Sequence, residues 1–340
     1  MAKHFANIWK SKTIALLIGG CALGSLATTP GLAANDGQVV LNYSDTAGPA
    51  EAQIAFAKKF SDYAAELSEG SIKIVVHPGG TLAGYSLEPV RAGIADITQV
   101  SPTLAADVLP WISLLEAPFL IESNEHFDKV TARDSVVFTE IDEKMLGDGI
   151  KLLGFFNFGV RDLTMKEPVL SPAQLKGKRM RVIPSPLWSD MWKNFGAVPV
   201  PMPSTETVSA ILTNVIEGQE NQWHDIIGKG IYDVNKYLMK TEHVVTFAGV
   251  WMNAGKWNSM SEAQQTALNE AFDKAKEWFQ TEYNPKKLGE YEVFLKEKGV
   301  TIVRQEDGLD RQAFIDQADQ LYVDYKDIWG DWVKTIKDMK

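Results

Sequence analysis

Arg179-Met180-Arg181-Val182-Ile183, then Pro186 to Asn194, then Val198-Pro199-Val200 read as strand, helix, strand. That rhythm belongs to an α/β lobe with a largely parallel sheet. Arg181 sits at the carboxyl end of the first strand. In open α/β sheets, ligands bind outside the carboxyl ends of the strands. A guanidinium there grips a carboxylate through two parallel hydrogen bonds, which lysine cannot match. Ser185 and the helix starting near Pro186 would add donors to the same anion. A second reading takes Lys176-Gly177-Lys178-Arg179-Met180-Arg181 as a basic cluster that keeps an edge strand soluble. That suffices for Lys176, Lys178 and Arg179. For Arg181 both readings stand.

The same rhythm runs upstream. Val39 to Ser44 reads as a strand, Ala50 to Leu67 as a helix ended by Gly70, and Ile72 to Val76 as a strand broken by His77-Pro78-Gly79-Gly80. Leu87 to Gly93 is the next helix and Ile97 to Val100 the next strand. These make a first lobe. Ile150 to Phe156 and Val160 to Met165 are further strands, with the first crossover between lobes placed here. Glu206 to Asn214 reads as helix. Downstream, Ser261-Glu262-Ala263-Gln264 is a capping box opening an apolar helical stripe that Pro285 interrupts. A helix from Lys287 to Lys298 stops at Gly299, Thr301 to Val303 is a short strand, and Phe314 to Trp332 carries a last stripe. These stripes are core. The expected organisation is 35–158 plus 247–286 for one lobe and 159–246 plus 287–340 for the other, joined by several crossings.

The N-terminus reads as a secretory signal over residues 1–34: Lys3, Lys10 and Lys12, a short apolar run, and small residues at Gly31-Leu32-Ala33-Ala34. Cys21, the only cysteine, lies inside the apolar run. Lipidation there would tether the protein. Cleavage near Ala34 would leave no cysteine, and with it no disulfide, thiol nucleophile or thiolate metal site. Losing residues 1–34 removes three lysines and no acid, moving the formal charge from -10 to -13. So acidic a surface disfavours nucleic acid and anionic membrane as partners. The expected location is the periplasm, as a monomer.

Enzyme motifs are absent. There is no GxxxxGK[ST], HExxH, GxSxG or strand-linked GxGxxG, and the five histidines keep no ligand spacing. Neither cofactor nor metal is expected, and no catalytic residue is assigned.

Several motifs in order resemble one family. Ser171 to Val182 resembles the "dlkGlKiRv" segment of TRAP-transporter solute-binding proteins, the DctP family. Phe195 to Met202 is similar to its "lGa.Pvpm", and Glu206 to Asn221, ending Gly218-Gln219-Glu220-Asn221, to its "Evy.ALqtGvvDGqEn". Tyr237-Leu238 with Thr241-Glu242-His243, His77 to Gly84, and Ala117 to Leu120 match further segments. The resemblance spans the mature chain.

It implies a two-lobed, Venus-flytrap periplasmic binding protein with two crossing strands and a long C-terminal helix spanning both lobes. Such a protein hands a small organic anion to a TRAP membrane permease. It implies Arg181 as the carboxylate's partner, Arg161 as an assisting arginine, and Asn221 as the site asparagine. The chain departs from the pattern at Asn214, where many members have glycine, at Glu217 for aspartate, and at Gln222-Trp223 for a following proline. Trp223 either projects into the cleft or packs in the second lobe's core. Trp188 reads as core. Ser44, Gln99 and Ser101 are first-lobe contact candidates. Ser204, where an aromatic is frequent, suggests a roomier or more polar pocket. The ligand guess is a sugar acid or hydroxy acid. A sensor role in the same fold, or a periplasmic enzyme acting on an acidic sugar, are the alternatives.

Overall fold

Two strands organise the molecule. In the computed structural model, which describes residues 37–49 and 51–340, Ile150–Met165 and Tyr237–Asn253 pair antiparallel along nearly their whole length. In chain order the strands are β1 (Val39–Ser44), β2 (Ile72–His77), β3 (Ile97–Val100), β4 (Ile150–Met165), β5 (Arg179–Val182), β6 (Val198–Pro201), β7 (Gly218–Asn221), β8 (Tyr237–Asn253) and β9 (Thr301–Val303). The order across the sheet is β2-β1-β3-β8-β4-β7-β5-β6, with β9 also on β8. The protein is thus α/β and two-lobed: β1 to β3 flank one end of the β4–β8 pair, and β5 to β7 with β9 flank the other. The expected signal segment 1–34, with Cys21 and the cleavage site, lies outside the described residues.

Sequence periodicity breaks β4 into two strands; the structure makes it one. Register shifts between Leu152 and Gly154, Asn157 and Gly159, and Arg161 and Leu163 supply the reason. Each bulge inserts a residue and resets which side chains face which side. Gly159 holds φ at +126° at the passage between lobes, a conformation open to glycine.

Register also fixes where strand ends point. β3 runs antiparallel to β8, Ile97 opposite Met252 and Val100 opposite Gly249. It therefore heads toward the crossover, as does its parallel neighbour β1. From the other side, β7 runs antiparallel to β4, Met165 opposite Gly218 and Asp162 opposite Asn221. It too heads toward the crossover, with β5 and β6 parallel to it. The carboxyl ends of both strand sets therefore converge on the stretch around Gly159.

Pro285 does not stop the C-terminal helix. Glu262–Trp278 continues through a π-helical turn, Phe279–Tyr283, into Asn284–Glu297. The wider turn accommodates the amide that proline lacks. The first half packs on Ala52–Leu67 and buries Phe272 and Phe279 against Phe56. The second half covers Trp223, Leu238 and Ile302 of the other lobe through Leu295. One helical rod thus spans both lobes. The final segments return across the molecule: Trp329 donates to the Ser113 hydroxyl at 3.0 Å and Trp332 stacks on Trp111 at 4.1 Å. Gln38–Lys340 forms one compact unit. None of its described helices is long and apolar enough to cross a membrane.

Candidate functional site

Arg181 lies one residue from the carboxyl end of β5 and is buried, 4% exposed. Its Nε donates to the Met202 carbonyl, just past β6, at 3.0 Å. Among the described residues this is its only side-chain hydrogen bond, so both terminal nitrogens are left open. Burial pushes its pKa down to about 10, with Glu220 opposing and Arg161 adding to the shift. It stays charged at neutral pH. A buried guanidinium with an open fork can take a carboxylate through two parallel hydrogen bonds.

Arg161 stands beside it in a different condition. Its Nε and Nη2 reach Glu220 Oε2 and Oε1 at 2.5 and 2.8 Å, and Nη2 also reaches the Glu220 carbonyl at 3.1 Å. The guanidinium lies over the Trp188 ring at 4.9 Å. Burial is the largest influence and opposes its charge, but Glu220, Asp225 and Glu116 together hold its pKa above the ordinary value. Glu220 is fully buried and also bonds His243 Nε2 at 3.1 Å. An ionised carboxylate only accepts, so Nε2 carries the proton and Nδ1 takes the Thr241 hydroxyl at 2.8 Å. Only Nη1 of Arg161 remains for a ligand. Asn221 ends β7. Its Oδ1 accepts the Gln222 amide at 3.3 Å, leaving the side-chain nitrogen open. The structure thus gathers Arg181, Arg161 and Asn221 at the converging strand ends.

The remaining sequence candidates divide. Ser44 is spent on the Ala83 carbonyl at 3.4 Å, and Gln99 Oε1 of the side-chain amide accepts the Tyr43 hydroxyl at 3.0 Å. Ser101 caps the turn after β3 and accepts the Thr103 amide at 3.3 Å. Ser204, half-buried, opens a 3-10 turn two residues past Met202. Ser185 is the N-cap of Pro186–Asn194 but makes no cap bond, and Pro186 removes one donor expected there. Trp223 is buried beside Asp162. Its Nε1 donates to Asp162 Oδ2 at 2.6 Å, and its ring packs with Ile226, Leu238 and Leu295. Trp223 lines a cavity of about 230 Å³ with Gly159, Asp162, Gln222, Lys240 and Tyr291.

Three first-lobe residues in the cleft carry no motif signal. Asp45 follows β1, and Glu116 ends the 3-10 segment Pro110–Glu116; both are buried. Burial raises each carboxyl to about 7. For Asp45 the Ala47 amide opposes the shift; for Glu116 the Ser101 hydroxyl and Arg161 oppose it. The Tyr85 hydroxyl accepts the Ser101 amide at 3.0 Å and feels Glu116, Asp45 and Arg161 together. Nearby, Glu51 of the first lobe stands against Asp225 and Lys229 of the second, so the lobes meet. Among the described residues no three His, Cys, Asp or Glu groups gather as a metal site.

The model of bacterial extracellular solute-binding protein family 7, DctP, matches residues 43–327. The chain belongs to this family. Across 314 residues this DctP-family chain is 31% identical to the 2,3-diketo-L-gulonate-binding periplasmic protein YiaO of Escherichia coli, covering 90% of each chain. It is similar to the crystal structure of a TRAP periplasmic solute binding protein from Roseobacter denitrificans with bound L-galactonate, at TM-score 0.77 and 27% identity, covering 88% of this chain and 98% of that one. A TRAP periplasmic solute binding protein from Bordetella bronchispeptica, with density assigned to pantoate, aligns at TM-score 0.80 and 25% identity over 89% and 100% of the two chains. In this DctP-family member Asn214, at the position of the frequent glycine, holds φ at +57°. Asparagine is among the few residues that enter this left-handed region readily.

Proposed function

We propose that the protein is exported through its N-terminal signal and captures a small organic acid, whose carboxylate docks on Arg181. It then delivers the acid to a TRAP membrane permease without chemically changing it. The observation that carries this reading is the pair of open terminal nitrogens on a buried arginine where both sets of strand ends converge. Arg161 Nη1 and the Asn221 amide add donors beside it. A sugar acid or hydroxy acid is the favoured cargo, supported by the diketogulonate- and galactonate-binding relatives. A charged pair in a closed cleft gains strength from the loss of water.

A thermal-shift screen of sugar acids and hydroxy acids selects the tightest ligand for calorimetry. Truncating one partner of a buried charge pair costs about 2–5 kcal/mol. Arg181→Ala should therefore weaken binding by roughly 30-fold or more. Arg181→Lys should also fail, because the fork is lost. Unchanged affinity in either variant removes Arg181 from the site.

A further inference from the structure

The cleft also holds polar atoms of opposite character. Asp45 Oδ2 and Glu116 Oε2 are buried and have no hydrogen-bond partner, in residues 5% and 3% exposed. Both are acceptors when ionised. Buried acceptors without donors are costly, so such atoms ask for an explanation. The other oxygen of Asp45 is already filled, by the Ala47 amide at 2.8 Å. Glu116 interacts with Arg161 and Glu220, and the Tyr85 hydroxyl feels both acids and Arg161 at once. The first-lobe acids therefore look onto the same cleft as the guanidiniums. The donors left open belong to the second lobe: Arg181, Arg161 Nη1 and Asn221. The cleft is thus bipolar, donor-lined on the second lobe and acid-lined on the first.

Resting on the reading of Arg181 as a carboxylate clamp, we infer that Asp45 and Glu116 are specificity residues for the other end of the ligand. They accept hydrogen bonds from its hydroxyls, so the site takes polyhydroxylated monocarboxylates and rejects dicarboxylates. A second carboxylate at that end would meet two acids, a repulsion that the lone Tyr85 hydroxyl beside them does not offset. A chain end without hydroxyls would leave both oxygens unpaired. Hydroxyls suit the wall better than an ammonium group does. A hydroxyl both donates and accepts, so it matches either protonation state of a buried carboxyl; an ammonium matches only the ionised one.

Calorimetry on the full mature chain tests this with L-galactonate, galactarate (its counterpart carrying a carboxylate at both ends), galactitol, hexanoate and an ammonium-bearing acid such as 6-aminohexanoate. The wild type should prefer galactonate over galactarate, hexanoate and aminohexanoate by about 100-fold or more, within the range a hydrogen-bonding site achieves. Glu116→Gln and Asp45→Asn keep the side-chain shape. Each should lose about 10-fold or more for galactonate and narrow its margin over galactarate, with circular dichroism reporting the fold. Equal binding of galactarate, tightest binding of hexanoate or aminohexanoate, no binding of galactonate, or an unaltered galactonate-to-galactarate ratio in both variants overturns the inference. Failure of the clamp itself has a different signature: galactonate binding that survives Arg181→Ala, or galactitol binding as tightly as galactonate.

Discussion

At the scale of single residues, two arginines in one cleft have different duties. Arg181 makes one hydrogen bond and keeps its fork open. Arg161 spends its fork on Glu220, which is fully buried. Arg161→Ala would strand that carboxylate, with only His243 left beside it. Breaking a buried pair from one side costs about 3–5 kcal/mol. Urea unfolding of Arg161→Ala should show a loss of that order, whereas Arg181→Ala should cost far less stability. Equal stabilities for the two variants would contradict the division. The placement of Arg181 was legible in the sequence because it is local: an arginine at the end of a strand before a helix. The duty of Arg161 was not, because Glu220 lies 59 residues away and only pairing of β4 with β7 brings them together. Asp45 and Glu116 were hidden for a similar reason. One sits in a polar turn, the other closes the apolar run Trp111-Ile112-Ser113-Leu114-Leu115, and neither advertises what it faces. Trp223 stood open between cleft and core; its ring packs with Ile226, Leu238 and Leu295 and also lines a cavity with Gly159.

At the scale of elements, short strands with parallel neighbours were readable and long crossing strands were not. β5, β6 and β9 match their sequence patterns closely. β4 and β8 change surroundings midway, and bulges reset their facing, so no single period runs through them. Resemblance to the family supplied the crossing strands where periodicity could not. Pro285 misled for a related reason: a π turn carries the helix across the proline, and turn type is set by what lies beneath, here Phe156 against Phe279 at 5.4 Å. The glycine that opens β7 has its own local task. A Cβ on Gly218 would fall 1.9 Å from Met165 Sδ and 2.8 Å from the Thr164 carbonyl. Without that close approach β7 could not lie on β4 and present Glu220 and Asn221. Gly218→Ala should destabilise by about 1–3 kcal/mol or more, the usual cost of overpacking, and weaken ligand binding with it. Urea unfolding that shows no change would contradict this role.

At the scale of the whole molecule, the sheet is continuous while the site is divided. β4, β8 and the rod of Glu262–Glu297 all pass from lobe to lobe, so relative movement of the lobes must bend these three passages. Their convergence places Gly159 and the π turn where the strand ends meet. Donors belong to the second lobe and the acid wall to the first. A ligand that satisfies both must bridge them, which ties binding to closure. The crystal structure of the complex with the tightest acid from the screen tests this account most directly. It should place the ligand carboxylate on both terminal nitrogens of Arg181, at about 2.7–2.9 Å, with the lobes closed around it. A ligand whose carboxylate lies elsewhere, with the Arg181 fork still empty, would contradict it.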